Sequence, residues 1–314
     1  MQVSTIIVSY NTFELSRAAI EAVQTSSPEI DQEVIVVDNN SPDESGAKLS
    51  ELYARDEASL VRVISLESNR GFAAANNVGA EVATGEVLFF LNPDTETQSG
   101  AVGEIYRFLM ENHHVGAVGP HIINPDGTDQ ESITWMISFS TLFKHYFPFH
   151  ALLSPAFSRD AGSPTSTREV EIVKGCALAV RRDVFDEAGG WDESYFLYAE
   201  EGELCYQLKK LAYRTYSLRT ATVMHHGGAS TSKENFAEQQ IIQQRSALQF
   251  IERHHGVALA LGNRIMGSIG FGIRAAFFRL IGLIKRDEAI RRRGKAASAI
   301  FKWFVTDYTR QSTQ

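Results

Sequence analysis

Asp94 follows an apolar run, Val87-Leu88-Phe89-Phe90-Leu91, and the pair Asn92-Pro93. The run has the length and composition of a buried strand. Pro93 ends it, because proline cannot donate to a central ladder. A carboxylate just past the C-terminal end of a strand lies where open α/β sheets bind ligands. It suits a hard cation and, through it, a phosphate. A turn after Asn-Pro explains an Asp equally well, and this stretch alone leaves both readings open.

Other polar groups fall in similar places. Ser9-Tyr10, Asp38-Asn39-Asn40 and Asn69-Arg70-Gly71 each follow a strand-like run. Asp38 suits a ribose hydroxyl or a base N–H, and the amides of Asn69 and Asn76 match the mixed edge of a base. Gly71 allows close backbone approach. Further on, Glu200, Glu201 and Glu203 stand within one four-residue stretch. Such carboxylates repel one another unless solvated or put to use. They head a helix with an apolar stripe at Leu204, Leu208 and Leu211, where the dipole favours them. A solvated cap and a general base both fit. His225-His226 precede Gly227-Gly228 at another strand end, which suits a metal or phosphate contact.

These residues need a scaffold that brings strand ends together. Strands are expected at 3–9, 33–37, 60–65, 87–91, 115–118, 170–180 (interrupted at Gly175) and 222–226. Helices are expected at 14–24, 47–55, 73–83, 100–112 and from 181 to Gly189-Gly190. The alternation predicts βαβ units and an α/β, doubly wound, mostly parallel sheet. Four polar strand ends on one edge then make a pocket. Residues 120–169 are less regular. They hold a turn signal, Asn124-Pro125-Asp126-Gly127, and the aromatic residues Trp135, Phe139, Phe143, Tyr146, Phe147 and Phe149. Those aromatics could line a second-substrate loop or pack a helix onto the core.

Charge is uneven. The chain has 314 residues, 44% hydrophobic, with a net charge of -8. Residues 251–314 hold 12 Lys/Arg against 4 Asp/Glu, a net of +8, which leaves -16 on residues 1–250. An acidic body argues against nucleic acid as a partner and marks the tail as a separate unit. Two cysteines, Cys176 and Cys205, make no disulfide framework and suit a reducing cytosol. Residues 1–5 have no basic leader, and no stretch reaches about 18 uninterrupted apolar residues. The expected location is the cytoplasm.

Taken together, Ile6-Ile7-Val8-Ser9-Tyr10-Asn11, Val36-Val37-Asp38-Asn39-Asn40-Ser41, residues 69–77, Phe90-Leu91-Asn92-Pro93-Asp94, Gly189-Gly190-Trp191-Asp192-Glu193, residues 196–201 and residues 225–230 form a pattern. The chain resembles the inverting GT-A glycosyltransferases of family 2, in particular their rhamnosyltransferase-like group, over about residues 3–232. The resemblance implies a GT-A, Rossmann-like catalytic domain at 1–235 and a helical extension at 236–314. It implies a nucleotide-sugar donor (dTDP- or UDP-linked, with dTDP-L-rhamnose preferred over a galactofuranose or N-acetylglucosamine donor) and Mg²⁺ or Mn²⁺. The acceptor would be a glycan or lipid-linked glycan in surface polysaccharide assembly. Asp38 would contact the nucleoside, with Ser9, Tyr10, Asn40, Asn69, Gly71, Asn76 and Asn92 in the donor site. Asp94 matches the last Asp of the family's Asp-x-Asp metal motif, His225 the His of its later His-x-x-Gly-x-Ser pattern, and Glu201 its catalytic base, with Glu200 beside it. Asn92 departs from the first Asp of the metal motif. Glu201 departs from Asp, and its extra methylene changes the reach by roughly 1.5 Å. The Glu201 departure keeps a catalytically weak glycan-binding relative open, and Glu200 or Glu203 remains an alternative base.

The tail continues as helix over 236–254. Over 265–284 it places Ile265, Ile269, Ile273, Phe277, Leu280 and Leu283 on one face, with Arg274, Arg279, Lys285 and Arg286 elsewhere and Arg291-Arg292-Arg293 beyond. A basic amphipathic helix predicts peripheral contact with a membrane surface. Packing on the catalytic domain, or a homodimer interface, are the alternatives.

Overall fold

A computed structural model of the protein describes residues 1–54, 60–147, 164–227, 236–285 and 287–307. Arg55, Phe149, Arg286 and the Gly228-Ala229-Ser230 part of the His motif lie outside the described residues.

Alternating β-branched runs and helical stripes build the first half. The elements are β1 (Val3–Ser9), α1 (Phe13–Ser26), β2 (Gln32–Asp38), α2 (Ser45–Ala54), β3 (Val61–Ser65), α3 (Phe72–Val82) and β4 (Val87–Leu91). After β4 come β5 (Thr95–Thr97), α4 (Ala101–Glu111), β6 (Val115–Ile123), β7 (Ile133–Thr134) and α5 (Phe139–Tyr146). The second half has β8 (Arg168–Val170), β9 (Ile172–Val173), β10 (Ala177–Arg181), α6 (Arg182–Glu187), α7 (Glu200–Lys210) and β11 (Arg214–His225). Three helices follow, α8 (Phe236–His255), α9 (Val257–Lys285) and α10 (Glu288–Lys302), and a π-turn closes at Trp303–Asp307.

The sheet order is β3-β2-β1-β4-β10-β6-β11-β5, with β8 paired to β11. β1 is parallel to β2 and β4, and β11 to β6, whereas β10 runs antiparallel between β4 and β6. The expected mostly parallel α/β sheet is therefore present. The chain reverses its direction of travel across the sheet between β1 and β4, which opens a crevice at their C-terminal ends. Successive strand residues face opposite layers. Ile7, Val36 and Phe89 pack with α1, α2 and α4. Ile6, Val37 and Phe90 pack with α3, α6 and α7.

Several elements differ from the sequence reading. β6 runs to Ile123 rather than ending at Val118. The expected strand over 170–180 is three pieces. β11 begins at Arg214, eight residues before the expected start, because a polar, charge-bearing half precedes its apolar end. β5 is only three residues long and was not foreseen.

Among the described residues, 1–136 and 164–227 form one compact unit, and 137–147 with 236–307 form another. In the second unit Leu142 and Tyr146 of α5 pack with Leu248, Phe271 and Phe304. Phe139, Phe143 and Trp135 are exposed instead. The buried face of α9 is lined by small residues, including Gly267, Gly270, Ala275 and Gly282. A Cβ at Gly267 would meet the Phe304 ring at 2.4 Å, so the helix packs closely there only without a side chain. Phe271 is the large apolar residue buried on this face, whereas most of the others lie outward. Ile265, Ile269, Ile273, Phe277, Leu280 and Leu283 are all about half exposed or more, Leu283 reaching 75%. The absence of an uninterrupted apolar run does not exclude a long apolar helix. α9 contains an 18-residue window of mean hydropathy 1.5, long and apolar enough to cross a membrane by length and composition, and 28% of that window is buried. Glycine, serine and arginine interrupt the run without lowering its average far enough.

Candidate active site

Asp94 is 3% exposed, at the end of β4. Its backbone carbonyl accepts from His226 N at 2.9 Å. β5 pairs with β11 so that Thr95 faces His225. This brings His225 Nε2 to 3.4 Å from Asp94 Oδ1. Residues far apart in sequence thus meet because β11 crosses back to the edge where β4 ends. Asn92 is anchored beside them, its N–H donating to Cys176 O at 2.9 Å.

The acidic cluster joins the same edge through the loop before β10. A Cβ at Gly175 would lie 3.7 Å from Glu201 Cβ. Burial pushes the Cys176 thiol up to about 12, and the charges of Asp94 and Glu201 add to that rise. The thiol is therefore protonated and inert. Glu200 is 5% exposed, and its Oε2 has no hydrogen-bond partner among the described residues. Burial, then the neighbouring Glu201 charge, hold Glu200 well above the ordinary carboxylate value of 4.5. Burial also raises Glu201, with Lys174 opposing the rise. Glu203 differs. Tyr195 OH donates to its Oε2 at 3.1 Å and Gln207 Nε2 to its Oε1 at 2.6 Å. Both oxygens of Glu203 accept bonds that hold α7, which sets it apart from the Glu200–Glu201 pair. The turn into α7 places Tyr198 and Ala199 at φ 68° and 71°. Two consecutive left-handed non-glycine residues are strained, and they aim the Glu200–Glu201 pair.

The other end of the crevice is built from β1, β2 and the loop after β3. Asp38 is 4% exposed and accepts from Ser41 N at 3.1 Å and from Ser41 Oγ. Asn11 N donates to Ser41 Oγ at 2.9 Å, which ties the loops after β1 and β2 together. Tyr10 and Asn40 are exposed at these ends, Asn40 at φ 63°. Ser9 is held elsewhere, its hydroxyl buried with those of Thr12 and Ser16 at 3.0 and 3.1 Å. Asn76 is 1% exposed and donates Nδ2 to Phe72 O in its own helix. Asn69 Oδ1 accepts from Asn39 Nδ2 and Gly71 N, each at 3.0 Å. Asn39, absent from the expected site, is the organiser of this loop, since its Oδ1 also accepts from Arg70 N at 2.9 Å. Gly71 has φ +84°, and a Cβ there would meet Phe196 O at 2.5 Å. Phe72 N donates to that same Phe196 O at 2.9 Å, and Arg70 pairs with Glu193 at 3.1 Å. The loop after β3 is thereby stitched to the segment that leads into the acidic pair.

Asp94 and His225 offer one carboxylate and one imidazole. No group of three or more His, Cys, Asp or Glu among the described residues forms a self-sufficient metal site. The pair fits a divalent ion whose remaining ligands come from a diphosphate and water. A cavity of about 630 Å³ lies elsewhere, between Trp135, Glu169, Lys209 and Arg214, and includes none of these residues.

A model of the family described as glycosyl transferase family 2 matches residues 4–189, more than half of the chain. The chain belongs to that family, and it is a family 2 glycosyltransferase. It is 26% identical over 242 residues to the N-acetylglucosaminyl-diphospho-decaprenol L-rhamnosyltransferase of Mycobacterium tuberculosis, covering 71% of this chain and 76% of that protein. It is 28% identical over 241 residues to the O-antigen biosynthesis protein RfbC of Myxococcus xanthus, covering 76% of this chain but 18% of that protein. The mannosyltransferase PcManGT of Pyrobaculum calidifontis, solved with GDP-Man and Mn²⁺, superposes with a TM-score of 0.59 at 15% identity, covering 98% of this chain and 88% of that one. GalNAc-T7, solved with UDP, GalNAc and Mn²⁺, gives 0.54 at 18% identity, covering 77% of this chain and 48% of that one. These two likenesses establish the GT-A fold.

Proposed function

We propose that this glycosyltransferase moves a sugar, L-rhamnose from dTDP-L-rhamnose, to a glycan or lipid-linked glycan acceptor with inversion of the anomeric carbon. The observation that carries the reading is the convergence at one sheet edge of the Asp94–His225 pair, tied through Asn92 to Cys176, and of Glu201, which packs on the adjacent Gly175. Likeness to the rhamnosyltransferase of M. tuberculosis supports the sugar and the lipid-linked acceptor.

Asp38 holds the nucleoside, with Tyr10 and Asn40 exposed beside it. Asp94 and His225 are the residues that would hold Mg²⁺ or Mn²⁺. Such an ion supplies positive charge against the departing diphosphate. Glu201 takes the proton of the acceptor hydroxyl, which is a poor nucleophile until a carboxylate does so. Attack on the face opposite the leaving group inverts the carbon without a covalent intermediate. Burial raises the proton affinity of Glu201 itself.

A thermal-shift panel of dTDP-L-rhamnose, UDP-galactofuranose and UDP-N-acetylglucosamine, each with Mn²⁺ or Mg²⁺, tests the donor. At 100 times its dissociation constant a ligand stabilises the native state by about 2.7 kcal/mol. The rhamnose donor is expected to shift the transition and to support transfer to a lipid-diphosphate acceptor. A shift with a UDP-sugar alone replaces the sugar, and no shift with any of them removes the reading.

The outward apolar face of α9, beside a tail of net charge +8, suits the surface of an anionic membrane. The protein is expected to sediment with phosphatidylglycerol vesicles and much less with phosphatidylcholine vesicles. Ile269→Asp, Ile273→Asp and Phe277→Asp combined should leave most of it in the supernatant. Unchanged sedimentation, or a lipid-free dimer that these changes split, would count against membrane docking.

A further inference from the structure

β6 ends in a tight excursion that returns at Gln130. Asn124 N donates to Thr128 O at 2.8 Å, and Gln130 N donates to Ile122 O at 2.9 Å. Asp126 Oδ1 accepts from Thr128 N at 3.0 Å and from Thr128 Oγ1 at 2.6 Å. The Asn-Pro-Asp-Gly turn is thus closed on itself. Asp129 fastens its far side, lying 2.7 Å from His121 Nε2 and 3.4 Å from Arg219 Nη1. The loop therefore presents Gln130 from a fixed backbone.

The orientation of the Gln130 amide follows from its neighbours. Asn124 Nδ2 donates to Thr128 Oγ1 at 2.9 Å, which turns Asn124 Oδ1 toward Gln130. Gln130 Nε2 donates to that oxygen at 2.8 Å and toward His225 O at 3.5 Å. Gln130 Oε1 is left facing His225 Nδ1 at 2.6 Å. An amide oxygen only accepts, so Nδ1 must carry the proton. In the neutral ring the Nε2 lone pair then faces Asp94 Oδ1, 3.4 Å away. Two acceptor atoms face each other, an arrangement that a cation between them relieves.

We propose that Gln130 is a positioning residue that locks His225 in the Nδ1–H tautomer, so that Nε2 is offered as a ligand to the cation shared with Asp94. Its role as a metal aid rests on the cation reading given above, whereas the tautomer does not. Partners of this kind, one bond behind a ligating imidazole, set its tautomer and basicity and typically change metal affinity by about 10–100-fold when lost.

The test uses ¹⁵N-histidine NMR on the metal-free full chain, with the His225 signals assigned by their loss in His225→Gln. Wild type is expected to show the Nδ1–H form, and Gln130→Leu a shift toward Nε2–H. Gln130→Glu, whose carboxylate still accepts from Nδ1, should keep the wild-type tautomer. Mn²⁺ titrations by electron paramagnetic resonance, with dTDP or UDP present, give the second readout. There Gln130→Leu should bind about 10–100-fold more weakly, and Gln130→Glu close to wild type. A wild-type Nε2–H tautomer, or one unchanged in Gln130→Leu, overturns the proposal. Equal loss of Mn²⁺ binding in both variants also overturns it, because a merely structural role predicts that pattern. Failure of wild type to bind Mn²⁺ with either diphosphate removes the cation reading instead, and the tautomer still decides on Gln130.

Discussion

Glu201→Gln is expected to lower turnover by about 10²–10⁴-fold, the range for losing a general base, while donor affinity stays within about twofold. Glutamine keeps the size of Glu201 and its place beside Gly175, but it cannot accept the acceptor's proton. Glu203 is expected to substitute poorly, since Tyr195 and Gln207 already donate to its oxygens. Single-turnover transfer and calorimetric donor binding measure the two halves separately. Near-normal turnover would move the base to Glu200. The acid limb of kcat/KM should lie above the ordinary glutamate value of 4.5, because burial raises both carboxyls of the pair. Stability has the opposite sign. A carboxyl whose folded value is raised binds more protons in the native state, so its contribution is fully present below about 4.5. It is lost as the pH rises through the folded value. Unfolding midpoints of Glu201→Gln should therefore fall less steeply than wild type across that window.

Asp94→Ala should abolish the gain in donor affinity that Mn²⁺ confers, a loss of more than about 100-fold, beyond the range typical of outer-shell partners. Asp94 is the carboxylate of a two-residue set, and Asn92 stands where the family pattern has a second acid. His225 alone offers a neutral nitrogen. For the same reason Mn²⁺ should bind wild type weakly until dTDP or UDP adds its oxygens. Calorimetry with and without nucleoside diphosphate checks both statements. Tight Mn²⁺ binding without nucleotide would mean that protein ligands beyond Asp94 and His225 complete the site.

The residues that could be read from sequence are those next to strand ends. β4 is an unbroken apolar run, and β1 and β2 each carry one (residues 6–8 and 34–37), so Asp38 and Asp94 could be placed at strand ends, and the apolar stripe of α7 located the acidic pair. Asn69 was harder. Its amide suits a base edge in isolation, but here it accepts bonds from Asn39 and Gly71, and loop closure of that kind leaves no periodic signal. Gln130 was hidden for a related reason. It meets His225 across a sequence separation of 95 residues, and the turn signal before it reported only a reversal. The start of β11 was obscured because its alternation includes Arg214 and Arg219, exposed or half-buried beside another strand. The three arginines at 291–293 marked charge but concealed that α10 runs through them, capped by the Asp287 carboxylate at Ala289 N, 2.8 Å away.

The inside-out dressing of α9, glycines inward and isoleucines outward, has a consequence for the chain before it reaches any partner. Newly made protein would present Leu261, Ile265, Ile269, Ile273, Phe277, Leu280 and Leu283 to water at once, a continuous apolar strip of the sort that drives self-association. Turning the helix inward cannot hide it at Gly267 and Gly270, where even a Cβ would meet Phe304 or Tyr146. Yield and monodispersity on purification are expected to rise when a detergent or lipid is supplied early.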